Sequence, residues 1–193
     1  MNQKTGLYFG SFNPIHNGHL IIANFMLEAA NLDEVWFIVT PQNPHKNPKN
    51  LLNEYDRLHL VELAIADNDR FYCSNIEFRL PRPSYTIDTL TYLKENYPNK
   101  DFQIIIGGDS YQNILSWKNA EVLLRNHTIL VYNRPGFETK KLDIPSNIHF
   151  FDSPALHISA TYIRNQIKNK KSIKYLVPEA VEKYLEESGS YQS

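Results

Sequence analysis

Five consecutive apolar residues, Val35-Trp36-Phe37-Ile38-Val39, constrain what this chain can fold into more than any other feature. The run is too short for a helix and leaves no alternate position polar, so both faces of an extended segment are to be buried. A strand of that kind needs apolar cover above and below, which helices on either side of a parallel sheet supply. The rest of the sequence meets that demand. Short apolar runs at 7–9, 70–74, 102–106, 128–132 and 148–151 alternate with helix-like segments at 20–30, 54–67, 87–96 and 116–124. Two closing helices are expected at 159–168 and 178–187, with Pro178 at the first helical position of the second. This alternation predicts an α/β fold: a Rossmann-like, doubly wound, mostly parallel sheet with helices on both faces. The chain reads as one domain, 1–193, in which 159–193 is a closing helical part.

Composition narrows the function classes. The 193 residues carry 20 Lys+Arg against 21 Asp+Glu, a net charge of −1, which argues against a coat for nucleic acid or an anionic membrane. Hydrophobic residues at 42% provide for a real core. One cysteine, Cys73, excludes an intramolecular disulfide framework and a multi-cysteine zinc site. Neither an apolar leader-like stretch near Met1 nor a membrane-spanning run is visible, so a cytoplasmic protein is expected. Self-association is left open by the sequence.

The loops after the strands carry the chemistry. Pro41-Gln42-Asn43-Pro44-His45-Lys46-Asn47-Pro48 directly follows the 35–39 strand, and Leu80-Pro81-Arg82-Pro83-Ser84 is a second proline-rich loop. In open parallel sheets the ligand crevice lies beyond the carboxyl ends of the strands. The first strand runs into Gly10-Ser11-Phe12-Asn13-Pro14-Ile15-His16-Asn17-Gly18-His19 and then a helix. Glycine lets backbone approach a ligand, and a helix start offers unpaired N–H groups to an anion. The string is neither a Walker A loop nor a Gly-x-Gly-x-x-Gly fingerprint. It brings two imidazoles, His16 and His19, to one face of the helix start, where they can donate to phosphate oxygens without permanent charge. Gly18 is expected to leave room beside His19. Near the other end, Ser159-Ala160-Thr161-Tyr162-Ile163-Arg164 opens a second helix, with Ser159 as cap, the Ser159 and Thr161 hydroxyls facing one way, and Arg164 a turn later. Two helix starts aimed at one polyphosphate are the expectation.

The first string resembles the His-x-Gly-His signature of the nucleotidyltransferase superfamily, and Ile158-Ser159-Ala160-Thr161-Tyr162-Ile163-Arg164 is similar to its Ile-Ser-x-Thr-x-x-Arg signature. Pro83-Ser84-Tyr85-Thr86-Ile87-Asp88-Thr89-Leu90 resembles a stretch of the bacterial nicotinate-nucleotide adenylyltransferases. Pro44-His45-Lys46, Gly107-Gly108-Asp109, Trp117 and Arg134-Pro135-Gly136 also fall where that family has them, so the resemblance covers nearly the whole chain. Two departures stand out. Gly-Ser-Phe-Asn-Pro replaces the commoner Gly-Gly-Thr-Phe-Asp-Pro and is closer to nicotinamide-mononucleotide enzymes of eukaryotes. Gly107-Gly108-Asp109 replaces Gly-Ala-Asp.

The resemblance implies adenylyl transfer from ATP to nicotinate mononucleotide in NAD biosynthesis. A nicotinamide or dual-specificity enzyme is the alternative; a phosphopantetheine adenylyltransferase, a cytidylyltransferase or a non-catalytic nucleotide-binding regulator fits less well. It implies catalytic roles for His16, His19, Lys46 and Arg164. ATP would be held by Gly10, Ser11, Phe12, Gly18, Asp109, Arg134, Ser159 and Thr161. The pyridine nucleotide would be held by Tyr85, Thr86, Asp88 and Trp117. Taken alone, Trp117 reads as core packing and Asp88 serves equally well as a first-turn helix carboxylate. Mg²⁺ is expected to arrive held by phosphates and water, because the motifs supply no cage of carboxylates.

Overall fold

The computed structural model describes residues 2–44, 51–133, 146–154 and 157–192. Its first half contains β1 (Gln3–Gly10), α1 (Asn17–Ala29), β2 (Glu34–Val39), α2 (Glu54–Ile65), β3 (Phe71–Ser74) and α3 (Thr86–Asn96). The second half contains β4 (Lys100–Gly107), α4 (Gly108–Gln112), α5 (Ala120–Asn126), β5 (Ile129–Asn133), β6 (Ile148–Asp152), α6 (Ala160–Lys168) and α7 (Glu179–Ser188). The strands form one sheet in the order β3-β2-β1-β4-β5-β6, with every neighbouring pair parallel. The chain works outward from β1 to β3, then returns to lay β4 on the other side of β1. Strand order reverses there, and a crevice opens at the carboxyl ends of β1 and β4.

Side-chain alternation builds two cores from the same strands. Tyr8, Val35, Phe37, Val39, Ile105, Leu130 and Tyr132 face one way, where α1, α2 and α7 contribute Met26, Leu27, Leu60, Val61, Val181 and Leu185. Leu7, Ile38, Phe102, Ile104, Ile106, Ile129 and Val131 face the other way, under Leu90 and Leu93 of α3 and Leu123 of α5. Each such side chain taken fully from water contributes roughly 1.5–3 kcal/mol before entropy is counted, so the unbroken apolar runs follow from two-sided burial. At the amino ends of the central strands, Glu34 of β2 accepts from Thr5 of β1 (2.7 Å) and from Lys100 of β4 (2.5 Å). The carboxyl ends are left for the cleft.

Two expectations change. The expected helix at 116–124 does not form as one piece. A 3-10 turn, Ile114–Ser116, is followed by extended Trp117 (φ −76°, ψ 152°), and Asn119 is left-handed (φ 53°) before α5 begins. Backbone at Asn119 cannot continue a right-handed helix, and asparagine tolerates that region. Pro178 is not helical but caps α7, since its ψ of 150° is extended. A further 3-10 turn, Ile76–Arg79, follows β3. Cys73 is the β3 residue it was read to be; burial pushes its thiol up to about 12, so thiolate chemistry is suppressed at neutral pH. Among the described residues no helix is long and apolar enough to cross a membrane.

His127, at the end of α5, is 7% exposed, and burial, helped by the Lys94 charge, pulls its pKa down to about 4. The folded chain therefore keeps it neutral, while the unfolded chain protonates it near 6.5. Its contribution to stability is complete above pH 6.5 and is lost as pH falls towards 4. Urea unfolding at pH 7 and pH 5 is expected to show a clear acid loss that is smaller in His127→Gln. Equal losses in both proteins would contradict this account.

Candidate active site

The cleft at the switch point is assembled around a buried arginine. Arg57 lies in the first turn of α2 and is 1% exposed. Its guanidinium donates to the carbonyls of Ser11 (2.6 Å), Thr40 (2.8 Å) and Pro41 (3.3 Å), and its Nε donates to Leu52 (3.0 Å). The loop after β1 and the loop after β2 are thereby fixed to one rigid group. Burial lowers the Arg57 pKa, yet a guanidinium stays protonated at neutral pH.

The first loop turns sharply on that support. Phe12 is left-handed (φ 43°), and its ring lies over Gly10, where an added Cβ would approach to 2.7 Å. The Phe12 ring is buried edge-on to His19, with centroids 5.1 Å apart. His16 and His19 stack at 3.7 Å with their planes 26° apart. His16 is the N-cap of α1, and its backbone N–H donates to His19 Nδ1 (3.2 Å), one arm of a capping box. A neutral His19 whose Nδ1 accepts that bond carries its hydrogen on Nε2. Gly18 differs from its expected role. A Cβ there would sit 3.0 Å from His16 Nδ1, so the space it leaves belongs to His16, and Gly18 itself does not border the main cleft.

The second helix start closes onto the first. Ser159 caps α6, accepting from the Tyr162 N–H (3.2 Å). Arg164 donates to the Asn13 carbonyl (2.8 Å) and to Thr161 Oγ1 (3.1 Å). The Asn13 side-chain oxygen accepts from the Leu52 N–H (3.1 Å) and from the Tyr191 hydroxyl (2.5 Å). The Ser159 and Thr161 oxygens are thus already used as acceptors, which leaves each hydroxyl hydrogen to donate.

The resulting cleft has a volume of about 550 Å³. Gly10, Ser11, Phe12, His16, His19, Ser159, Thr161 and Arg164 border it at one side, with Asp109 at the carboxyl end of β4. Tyr85, Thr86 and Trp117 border it as well. Asp88 does not: it forms an ion pair with Lys118 (2.8 Å), and Lys118 is the one that borders the cleft, 4.8 Å above the Tyr85 ring. Lys46 and Arg134 lie outside the described residues. Among the described residues no group of three or more His, Cys, Asp or Glu could hold a metal ion.

Sequence reasoning missed Arg57, Asn13, Lys118 and Glu77. Arg57 carried a usable signal, because it shares the helix face of Leu60, Val61 and Ala64, all buried. A charge at the head of an apolar stripe is a candidate for a buried anchor.

The cytidylyltransferase-like family model matches residues 7–166. A probable nicotinate-nucleotide adenylyltransferase of Cytophaga hutchinsonii is 51% identical over 183 residues, covering 95% of each chain. The nicotinate-nucleotide adenylyltransferase of Bacillus subtilis is 38% identical over 191 residues, 99% of this chain and all of that one. The nicotinic acid mononucleotide adenylyltransferase of Plasmodium falciparum, solved with NaAD, superposes with a TM-score of 0.81 over 98% of both chains at 20% identity, a likeness of fold. The chain belongs to the cytidylyltransferase-like nucleotidyltransferases and, within that class, to the nicotinate-nucleotide adenylyltransferases.

Replacing Arg57 by methionine keeps much of the volume and strands the carbonyls of two loops. We expect a loss of about 3 kcal/mol or more in urea unfolding at pH 7, with Arg57→Lys recovering only part of it. A loss below about 1 kcal/mol would remove Arg57 from its place as the anchor of the cleft.

Proposed function

We propose that the protein transfers the adenylyl group of ATP to nicotinate mononucleotide, forming nicotinate adenine dinucleotide and pyrophosphate in NAD biosynthesis. The observation that carries this reading is the convergence of two helix starts on one cleft, joined by the hydrogen bond from Arg164 to the Asn13 carbonyl. A phosphate oxygen of the mononucleotide attacks the α-phosphorus; that P–O bond forms as the bond to the bridging oxygen of pyrophosphate breaks. The nucleophile is already ionised at neutral pH, so no side chain has to remove a proton.

The obstacle is like charge. Two unit charges 4 Å apart repel by about 4 kcal/mol at an effective dielectric of 20, and both reactants carry several. Positioning and charge neutralisation are therefore the protein's task. His19, with its Nε2–H fixed by the bond at Nδ1, donates to the phosphates, with the stacked His16 beside it. Arg164, the α6 start and the Ser159 and Thr161 hydroxyls complete that side, and Asp109 at the mouth suits a ribose hydroxyl. Lys46 and Arg134 are proposed as further phosphate contacts. At the other end, the N–H groups of Tyr85 and Thr86 at the start of α3 suit the nicotinate carboxylate, with Trp117 stacking on the ring. Mg²⁺, which neutralises charge on the triphosphate, would be held by phosphate and water. Asp109 is exposed at the cleft and is the carboxylate nearest to that use, while Glu77 is buried.

Pyrophosphate release with ATP and Mg²⁺, run in parallel with nicotinate and nicotinamide mononucleotides, tests the reading. We expect strong preference for nicotinate; comparable rates would favour the dual-specificity alternative, and silence with both would exclude pyridine nucleotides. His19→Ala is expected to lower kcat by about 100-fold or more while ATP still binds. Equal loss of both would favour a binding module. In Gly107→Ala the new Cβ would fall 2.5 Å from Asp109 Oδ1 and displace that exposed carboxylate. The Cβ would also lie 3.2 Å from the buried Tyr132 ring, so Tm should fall somewhat while KM for ATP rises; an unchanged KM would remove Asp109 from the ATP site.

A further inference from the structure

Glu77 lies in the 3-10 turn after β3, is 1% exposed, and borders the cleft. Its Oε1 accepts from the Thr89 hydroxyl of α3 at 2.8 Å. Its Oε2 is fully enclosed with no hydrogen-bond partner among the described residues, and so is the hydroxyl of Ser84, another residue bordering the cleft. Hydroxyls from three segments lie close to this carboxyl: Thr40 just past β2, Ser84 in the second proline loop and Thr89 in α3, of which Thr89 makes the formed hydrogen bond. The Ser84 N–H also donates to the Gln42 carbonyl (3.0 Å), which ties the two loops together. Burial pushes the Glu77 carboxyl above the usual carboxylate range, and the three hydroxyls only partly oppose this.

A carboxyl enclosed this completely is costly unless it organises something. The residues it gathers flank Tyr85 and Thr86. Tyr85 is the N-cap of α3 and gives its carbonyl to the Asp88 and Thr89 N–H groups, while the Thr86 and Ile87 N–H groups before them have no acceptor within the helix. The direction of those donors depends on how Ser84 and Thr89 are held. Resting on the reaction proposed above, we propose that Glu77 is the positioning residue of the pyridine end of the cleft, fixing the Tyr85–Thr86 turn through Ser84 and Thr89 and thereby setting affinity for the pyridine nucleotide without touching ATP. It acts through its hydrogen bond to Thr89 and by packing close to the Ser84 hydroxyl. A charged carboxylate beneath the same turn would repel the carboxylate of a nicotinate ring, whereas the neutral acid, or an amide of its shape, does not.

The test is steady-state kinetics on the full chain with each substrate varied in turn, for the parent, Glu77→Ala, Glu77→Gln and Ser84→Ala, alongside thermal melts. In Glu77→Ala, KM for nicotinate mononucleotide is expected to rise about tenfold or more, with KM for ATP within about twofold. Glu77→Gln should keep both constants within about threefold of the parent, and Ser84→Ala should move in the direction of Glu77→Ala by a smaller factor. A Glu77→Ala enzyme that loses affinity for both substrates alike, or loses only kcat, overturns the proposal. A Glu77→Gln enzyme as impaired as Glu77→Ala overturns it also. Should Glu77→Ala fail to fold, an unchanged nicotinate mononucleotide KM in Ser84→Ala decides against it. A parent silent with nicotinate mononucleotide refutes the reaction itself and Glu77's role with it, whereas normal parent turnover with a uniform loss in Glu77→Ala refutes Glu77's role alone.

Discussion

One guanidinium holds the cleft together. Arg57 divides its donors among carbonyls of residues 11, 40, 41 and 52, just past the last β1–β2 pair and just before α2. Among the described residues all four of its hydrogen bonds go to main-chain carbonyls, so its charge is spread over carbonyl dipoles while its geometry stays rigid. Everything placed on the first loop inherits that rigidity: the left-handed Phe12 backbone, the ring over Gly10, and the stacked imidazoles at the head of α1. A phosphate site that acts by positioning has to be stiff before the substrate enters, because order gained at that moment is subtracted from binding.

The cleft is organised as two ends supported differently. At the end proposed for the phosphates, stacked rings, helix starts and an arginine gather, and Asn13 links them: its carbonyl takes Arg164 and its side chain takes Leu52 and Tyr191. At the other end, a buried carboxyl and three hydroxyls stand behind a helix start. Both ends carry helix starts, whose N–H groups suit the two anionic partners of the proposed reaction. The two supports meet at residues 40–42, where Arg57 holds the Thr40 and Pro41 carbonyls and the Gln42 carbonyl accepts from the Ser84 N–H.

How much of this could be read from the sequence depends on distance along the chain. The strands were legible because two-sided burial leaves unbroken apolar runs, as at 35–39, and the two helix starts because caps and imidazoles lie within a few residues of one another. The segment at 116–124 was misread because its break rests on the left-handed backbone of Asn119, which composition does not betray. Arg57 was passed over because charge suggests exposure, although its neighbours on α2 are core residues. Asn13 was illegible as a junction, since residues 52, 164 and 191 meet only in the fold. Gly18 was correctly taken as a space-maker, but for the wrong histidine, since cap geometry rather than spacing decides which ring lies over it.

The bonds at Asn13 span 151 residues to Arg164 and 178 to Tyr191. Contacts so remote in sequence carry the largest loop-closure entropy and form only once the intervening strands and helices are in place. A chain with its sheet assembled and its closing helices undocked would retain much of its secondary structure yet lack the phosphate end. Activity that needs the α6 donors is therefore a stricter gauge of native structure than circular dichroism: undocking of α6 and α7 would remove those donors while the sheet still contributed its signal.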